Sequence, residues 1–163
     1  MGIDDKDNYL KGEFLFYYLW RSKLDTLIVL YWLGNLIFLN GAGMPTVDNQ
    51  LGFQRWEGGL LTYGHRENIS EVYDIDKNTE ILGIYESGKT QKFKLSKIQG
   101  LVHFDGTQLI ENTLFMLNGE WETTSEVIQY FSSPDSITIY TCYPNVGVTQ
   151  GGLFIELIPI IEE

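Results

Sequence analysis

The sequence predicts a mainly β protein, an antiparallel barrel or sandwich with few helices. Runs of Val, Ile, Tyr, Phe and Thr recur along the chain, and Asn-Gly, Ser-Gly, Asp-Gly and Gly-Gly pairs break them at short intervals. Composition adds a bound. With 163 residues, 44% of them hydrophobic and 14% aromatic, the chain has the size of one domain and can bury a substantial core.

Residues 1–23 read as an N-terminal extension, in which residues 11–20 suit a short helix packed on the barrel, although their aromatic richness also suits a strand. Residues 24–163 read as the barrel domain. It opens with Thr26-Leu27-Ile28-Val29-Leu30, turns at Leu33-Gly34-Asn35 and continues as Leu36-Ile37-Phe38-Leu39. This stretch is too short for a membrane span, which needs about 20 apolar residues, and Gly34 and Asn35 interrupt it. Next, Gly58-Gly59-Leu60-Leu61-Thr62-Tyr63 makes an apolar strand ending in Gly64-His65-Arg66, and residues 67–73 suit a short helix capped by Asn68. Ile81-Leu82-Gly83-Ile84-Tyr85 and Gln91-Lys92-Phe93-Lys94-Leu95 flank a hairpin turn at Glu86-Ser87-Gly88-Lys89. Over residues 123–131, Thr123 followed three places on by Glu126 is the signature of a capped helix. Ser136-Ile-Thr-Ile-Tyr-Thr-Cys142 alternates like a half-buried strand and is halted by Pro144.

Charge excludes several functions. Against 11 basic residues stand 22 acidic ones, a net charge of −11, which disfavours nucleic acid and anionic membrane surfaces because phosphate contacts need clustered Lys and Arg. The first residues carry neither the basic start nor the small-residue cleavage site of a signal peptide. One cysteine allows no internal disulfide and leaves a free thiol. No structural zinc site follows from one Cys and two His. Asp74, Asp76, Asn78 and Glu80 are spaced like the start of a calcium loop, yet Thr79 stands at the sixth position and Tyr85 at the twelfth, where such a loop needs Gly and an acid. Gly41-Ala-Gly43 runs into Pro45 rather than a helix and makes no phosphate loop. The expectation is a chain with neither metal nor cofactor.

Cys142 and His65 are the candidates for chemistry. A thiol at a strand end is held on one side and open on the other, and a histidine beside it can take and return a proton. Their ordinary pKa values of about 8.5 and 6.5 make the thiolate–imidazolium form sensitive to proximity and local charge. Such a pair does acyl transfer through a thioester. His103, in Leu101-Val-His-Phe-Asp, reads as structural or exposed, and the Trp and Tyr residues as packing.

Two words in this order, Gly64-His65-Arg66 and Thr141-Cys142-Tyr143-Pro144, resemble the sortases, cysteine transpeptidases of the Gram-positive cell surface. The resemblance covers roughly residues 24–160 and includes the paired opening strands and the hairpin after the histidine. It implies a single sortase-like β-barrel with a few short helices. It also implies a peptide or protein substrate bearing a sorting signal, an amine acceptor, and an extracellular or cell-surface location. The family carries an arginine on the strand after the cysteine. Here that strand is Gly151-Gly152-Leu153-Phe154-Ile155-Glu156, no Arg or Lys follows Lys97, and Gly152 takes the arginine's place. Candidates for oxyanion or substrate support are therefore the Gln150 amide, the backbone at Gly152 and Arg55, with Arg66 the weaker arginine. The groove loops are expected at residues 109–121 and 145–150. Loss of the arginine also admits a catalytically impaired binding or structural protein on the same fold, and leaves the oligomeric state open.

Overall fold

The computed structural model describes residues 25–41, 43–56, 58–104, 114–143 and 151–162. The expected helix at residues 11–20 and the loop residues 145–150 lie outside them. Among the described residues there are ten strands: β1 (Leu27–Trp32), β2 (Asn35–Leu39), β3 (Gln50–Trp56), β4 (Gly59–Tyr63), β5 (Glu80–Tyr85), β6 (Thr90–Phe104), β7 (Leu114–Leu117), β8 (Glu120–Thr123), β9 (Ile137–Tyr143) and β10 (Gly151–Pro159). They run in the order β10-β9-β4-β3-β2-β1-β5-β6, and a β10–β6 pairing closes those eight into a barrel with no free edge. Strand β6 is long enough to serve β5, β10 and, at its far end, the β7–β8 hairpin.

Local chemistry explains the turns. Leu33 and Gly34 (φ 48° and 82°) join β1 to β2, and Asn118 and Gly119 (φ 53° and 86°) join β7 to β8, both left-handed pairs whose twist matches a two-residue hairpin. The β5–β6 turn is where Ser87-Gly88 places it, with the Gly88 N–H donating to the Tyr85 carbonyl. Residues 109–121 are only partly loop: β7 and the start of β8 occupy the described part, because alternating Phe115 and Leu117 bury one face of that hairpin.

Two short helices are described. In α1 (Thr124–Tyr130), the Thr123 hydroxyl accepts from Glu126 N–H and the Glu126 carboxylate accepts from Thr123 N–H at 2.7 Å. That cap is worth about 1 kcal/mol, and the Thr123 N–H holds the Glu126 carboxyl below its ordinary range. The expected helix at 67–73 is instead a 3₁₀ turn over Ser70–Asp74, begun at Ile69 without a side-chain cap. Asn68 is committed to a turn, its N–H on the His65 carbonyl and its carbonyl on Asn49 N–H. Buried Ile69, Val72 and Ile75 recur every third residue, the period of a 3₁₀ turn.

The core has two layers. Inside the barrel, Leu30, Trp32, Ile37, Leu51, Ile81, Phe93, Ile139 and Ile155 form one cluster. Outside it, Leu61, Leu101, Phe115, Phe131 and Phe154 form a second, where α1 and the β7–β8 hairpin cover the outer face of β4, β9, β10 and β6. Alternation along β9 sends Ile137, Ile139 and Thr141 inward, and Thr138, Tyr140 and Cys142 outward. Both faces of β9 and β10 are thus covered over much of their length, which is why β10 reads as a continuous buried run.

A buried carboxylate fastens the second layer. Glu156 is fully buried on β10; its Oε2 accepts from Ser133 N–H at 2.8 Å and from the Ser133 hydroxyl at 3.0 Å, while Lys97 Nζ lies 3.9 Å from Oε1. Lys97 also donates to the Tyr130 carbonyl at the end of α1. Glu156→Ala is expected to lower the unfolding free energy by about 2–3 kcal/mol. Most of that loss comes from orphaned Ser133 donors, since Lys97 is more than a third exposed and solvent screens it. A urea titration measures it.

Candidate active site

The geometry at the barrel rim follows from one parallel pairing. Strands β4 and β9 run side by side with Leu60 opposite Ile137, Leu61 opposite Thr138, Thr62 opposite Ile139 and Tyr63 opposite Tyr140. The pairing persists past the end of β4: Gly64 N–H donates to the Tyr140 carbonyl at 3.3 Å, and the Thr141 hydroxyl donates to the Gly64 carbonyl at 2.8 Å across a separation of 77 residues. His65, two residues past the end of β4, and Cys142, on β9, share that separation and each follow this contact by one residue. Cys142 is exposed and His65 half-buried.

Each neighbour has an identifiable reason for its place. Gly64 is needed by the chain itself: a Cβ there would lie 3.1 Å from Ile69 Cδ1 and 3.3 Å from the Gln50 carbonyl. The glycine admits the close approach of the β3 backbone and of the 3₁₀ turn. That turn brings Tyr73 to the rim, where its hydroxyl donates to the Cys142 carbonyl. Burial raises the Tyr73 phenol, and the Arg66 charge works against the rise. Tyr73 thus clamps the backbone of the cysteine, a contact between residues 69 apart that no local pattern announces.

Gly152 lies directly opposite Cys142 on β10 and opposite Leu101 on β6. A Cβ at Gly152 would fall 2.7 Å from Tyr140 Cε2, 3.1 Å from Phe115 Cε1 and 3.1 Å from Phe154 Cε2. The outward space at 152 is closed by aromatic rings. Arg55 pairs with Leu60, at the far end of β4. Five strand residues, about 16 Å, separate that row from His65, and the structure does not bring Arg55 to Cys142. Arg66, the arginine given less weight from sequence, is the one whose charge reaches Tyr73 at the rim. Gln150 lies outside the described residues.

His103 shares more of this setting than its sequence suggests. It follows Leu101 by two on β6 and so faces the same side as Gly152, with its ring edge-on to Phe115 at 5.6 Å. Below the Cys142 row, a cavity of about 670 Å³ opens between α1 and the outer sheet face, lined by Trp56, Leu61, Tyr63, Ile128, Tyr140 and Phe154 among others. Its wall is mostly apolar. Among the described residues no cluster of His, Cys, Asp and Glu could hold a metal ion, and no helix is long and apolar enough to cross a membrane. The Asp76 carboxylate is engaged locally, accepting from Asn78 N–H at 2.8 Å and the Thr79 hydroxyl at 3.1 Å.

By sequence, no family model and no curated relative matches the chain. By structure it is similar to sortase C from Clostridium perfringens SM101, with 13% identity and a TM-score of 0.53 over 85% of this chain and 72% of that one. It is similar to a lid mutant of sortase A from Corynebacterium diphtheriae, with 14% identity and a TM-score of 0.54 over 84% and 71%. The same holds for Clostridium perfringens sortase C with its C-terminal cell wall sorting motif, with 12% identity and a TM-score of 0.50 over 85% and 72%. The eight-stranded barrel closed by β10 on β6 matches the sortase β-barrel fold.

Proposed function

We propose that this chain is a sortase-like cysteine transpeptidase or thiol protease acting on a peptide sorting signal at the cell surface. The observation that carries the reading is the parallel pairing of β4 and β9, which runs toward His65 just past the end of one strand and exposed Cys142 on the other, next to an apolar cavity. Cys142 Sγ attacks the acyl carbonyl, the carbonyl pair moves onto oxygen, and collapse expels the amine, which takes a proton from the His65 imidazolium. An acceptor amine, or water, then attacks the thioester carbon while His65 takes its proton, so that the new N–C or O–C bond forms, the S–C bond breaks and the Cys142 thiolate departs. The likeness to a sortase structure that holds a sorting motif supports a peptide as substrate. Incubation with peptides carrying cell-wall sorting motifs is expected to leave an acyl adduct on the intact protein, seen by mass spectrometry, and none on Cys142→Ala. Cleavage that persists in Cys142→Ala would sink the assignment.

A second reading, a binding or structural protein on this fold, is favoured by Gly152, whose outward space is closed to an arginine. It predicts peptide binding without adduct formation.

A further inference from the structure

Gly152 contributes no side chain to the row of Cys142, yet the space beside it is filled. Tyr140 stands two residues before Cys142 on β9, faces outward with it, and lines the cavity below. Its ring reaches across to β10, with Cε2 2.7 Å from where a Cβ at 152 would be. Directly opposed residues of an antiparallel pair have Cβ positions about 5 Å apart, so the ring edge enters the neighbourhood of Cys142. Phe154 holds that ring from one side, centroids 4.8 Å apart, and Phe115 meets it edge-on at 6.4 Å. A packed tyrosine ring therefore occupies the space that a side chain at 152 would first enter.

We propose that the Tyr140 hydroxyl is the donor to the oxyanion formed when Cys142 attacks an acyl carbonyl, with Gly152 leaving room for the ring. This rests on the acyl-transfer reading above. In the step, the Sγ–C bond forms, the carbonyl pair localises on oxygen, and the phenolic O–H donates to that oxygen without transferring its proton. Collapse re-forms the carbonyl and expels the leaving group. Burial, with the Cys142 charge adding to it, pushes the Tyr140 phenol up to about 12, so the hydroxyl remains a donor throughout the neutral range. Tyrosine is among the side chains that serve oxyanion holes, and removal of one such donor costs about 10²–10³ in rate.

Two small probes separate this role from packing. Iodoacetamide alkylates a thiolate by displacement at a saturated carbon and builds no oxyanion; p-nitrophenyl acetate acylates it through a tetrahedral oxyanion. Tyr140→Phe in the full chain is expected to slow acylation about 10²-fold while leaving alkylation of Cys142 within about twofold. Gly152→Ala, which drives a Cβ into the ring, is expected to give the same split. Undiminished acylation in Tyr140→Phe, or an equal loss with both probes, overturns the proposal. Failure of the wild type to acylate while its alkylation still depends on His65 also overturns it, leaving the Cys–His contact intact. Alkylation indifferent to His65 would instead remove the acyl-transfer reading itself.

Discussion

His65→Ala is expected to lower acyl transfer at pH 7 by about 10²–10⁴-fold, the range that a positioned general acid–base commonly contributes. On the proposed mechanism the effect is large because one imidazole serves twice. It shares the proton of the Cys142 thiol before attack, and it protonates the departing amine, which is otherwise a poor leaving group. The fold should survive the change. What fixes this corner is main chain and neighbouring side chains: Gly64 N–H on the Tyr140 carbonyl, the Thr141 hydroxyl on the Gly64 carbonyl, and Asn68 N–H on the His65 carbonyl. Steady-state turnover of a cleavable sorting-motif peptide, with urea unfolding as control, checks both halves. A loss of turnover accompanied by an equal loss of stability would mean that His65 acts in packing rather than chemistry.

Gly152→Arg is expected to destabilise the protein without raising activity, although it writes the family's arginine back into the sequence. The obstacle is already met at Cβ, which would sit 2.7 Å from Tyr140 Cε2 and 3.1 Å from both Phe115 and Phe154. Those rings are braced by one another and by Phe131, which stacks on Phe154 at 5.3 Å. Overpacking of this kind costs about 1–3 kcal/mol, and a guanidinium forced toward an apolar cluster adds desolvation to that figure. The urea midpoint should fall with an unchanged slope. An unchanged midpoint would show that Tyr140 swings aside freely and that the rim accepts an arginine after all.

How much of this was legible in the sequence depends on range. Features set by neighbours a few places apart were readable: the turns at Gly34 and Gly88, and the reciprocal cap of Thr123 and Glu126. The Asn68 cap was misjudged because a partner from another segment, Asn49, claims its carbonyl and the turn takes its N–H. The β4–β9 register that leads toward His65 and Cys142 links residues 77 apart. Period and propensity give no access to such a pairing, and only the resemblance of the two words hinted at it. Arg55 looked serviceable for its nearness in sequence to His65, but an antiparallel hairpin carries it to the opposite end of β4. Tyr140 was within reach of sequence reasoning, since residues two apart on a strand share a face. What hid it was the assumption that a tyrosine near a core is packing. Tyr73 and Glu156 left no local sign, because their partners come from other strands and loops.

The most direct test is the rate of Cys142 alkylation by iodoacetamide from pH 5 to 9, in the wild type and in His65→Ala, with a free model thiol alongside. If the two residues act as a pair, the wild type reacts well below pH 8, where the model thiol is largely protonated, and His65→Ala loses that low-pH reactivity. A wild-type thiol that is inert, or that follows the model thiol whether or not His65 is present, would contradict the pairing and leave a sortase-shaped binding or structural protein.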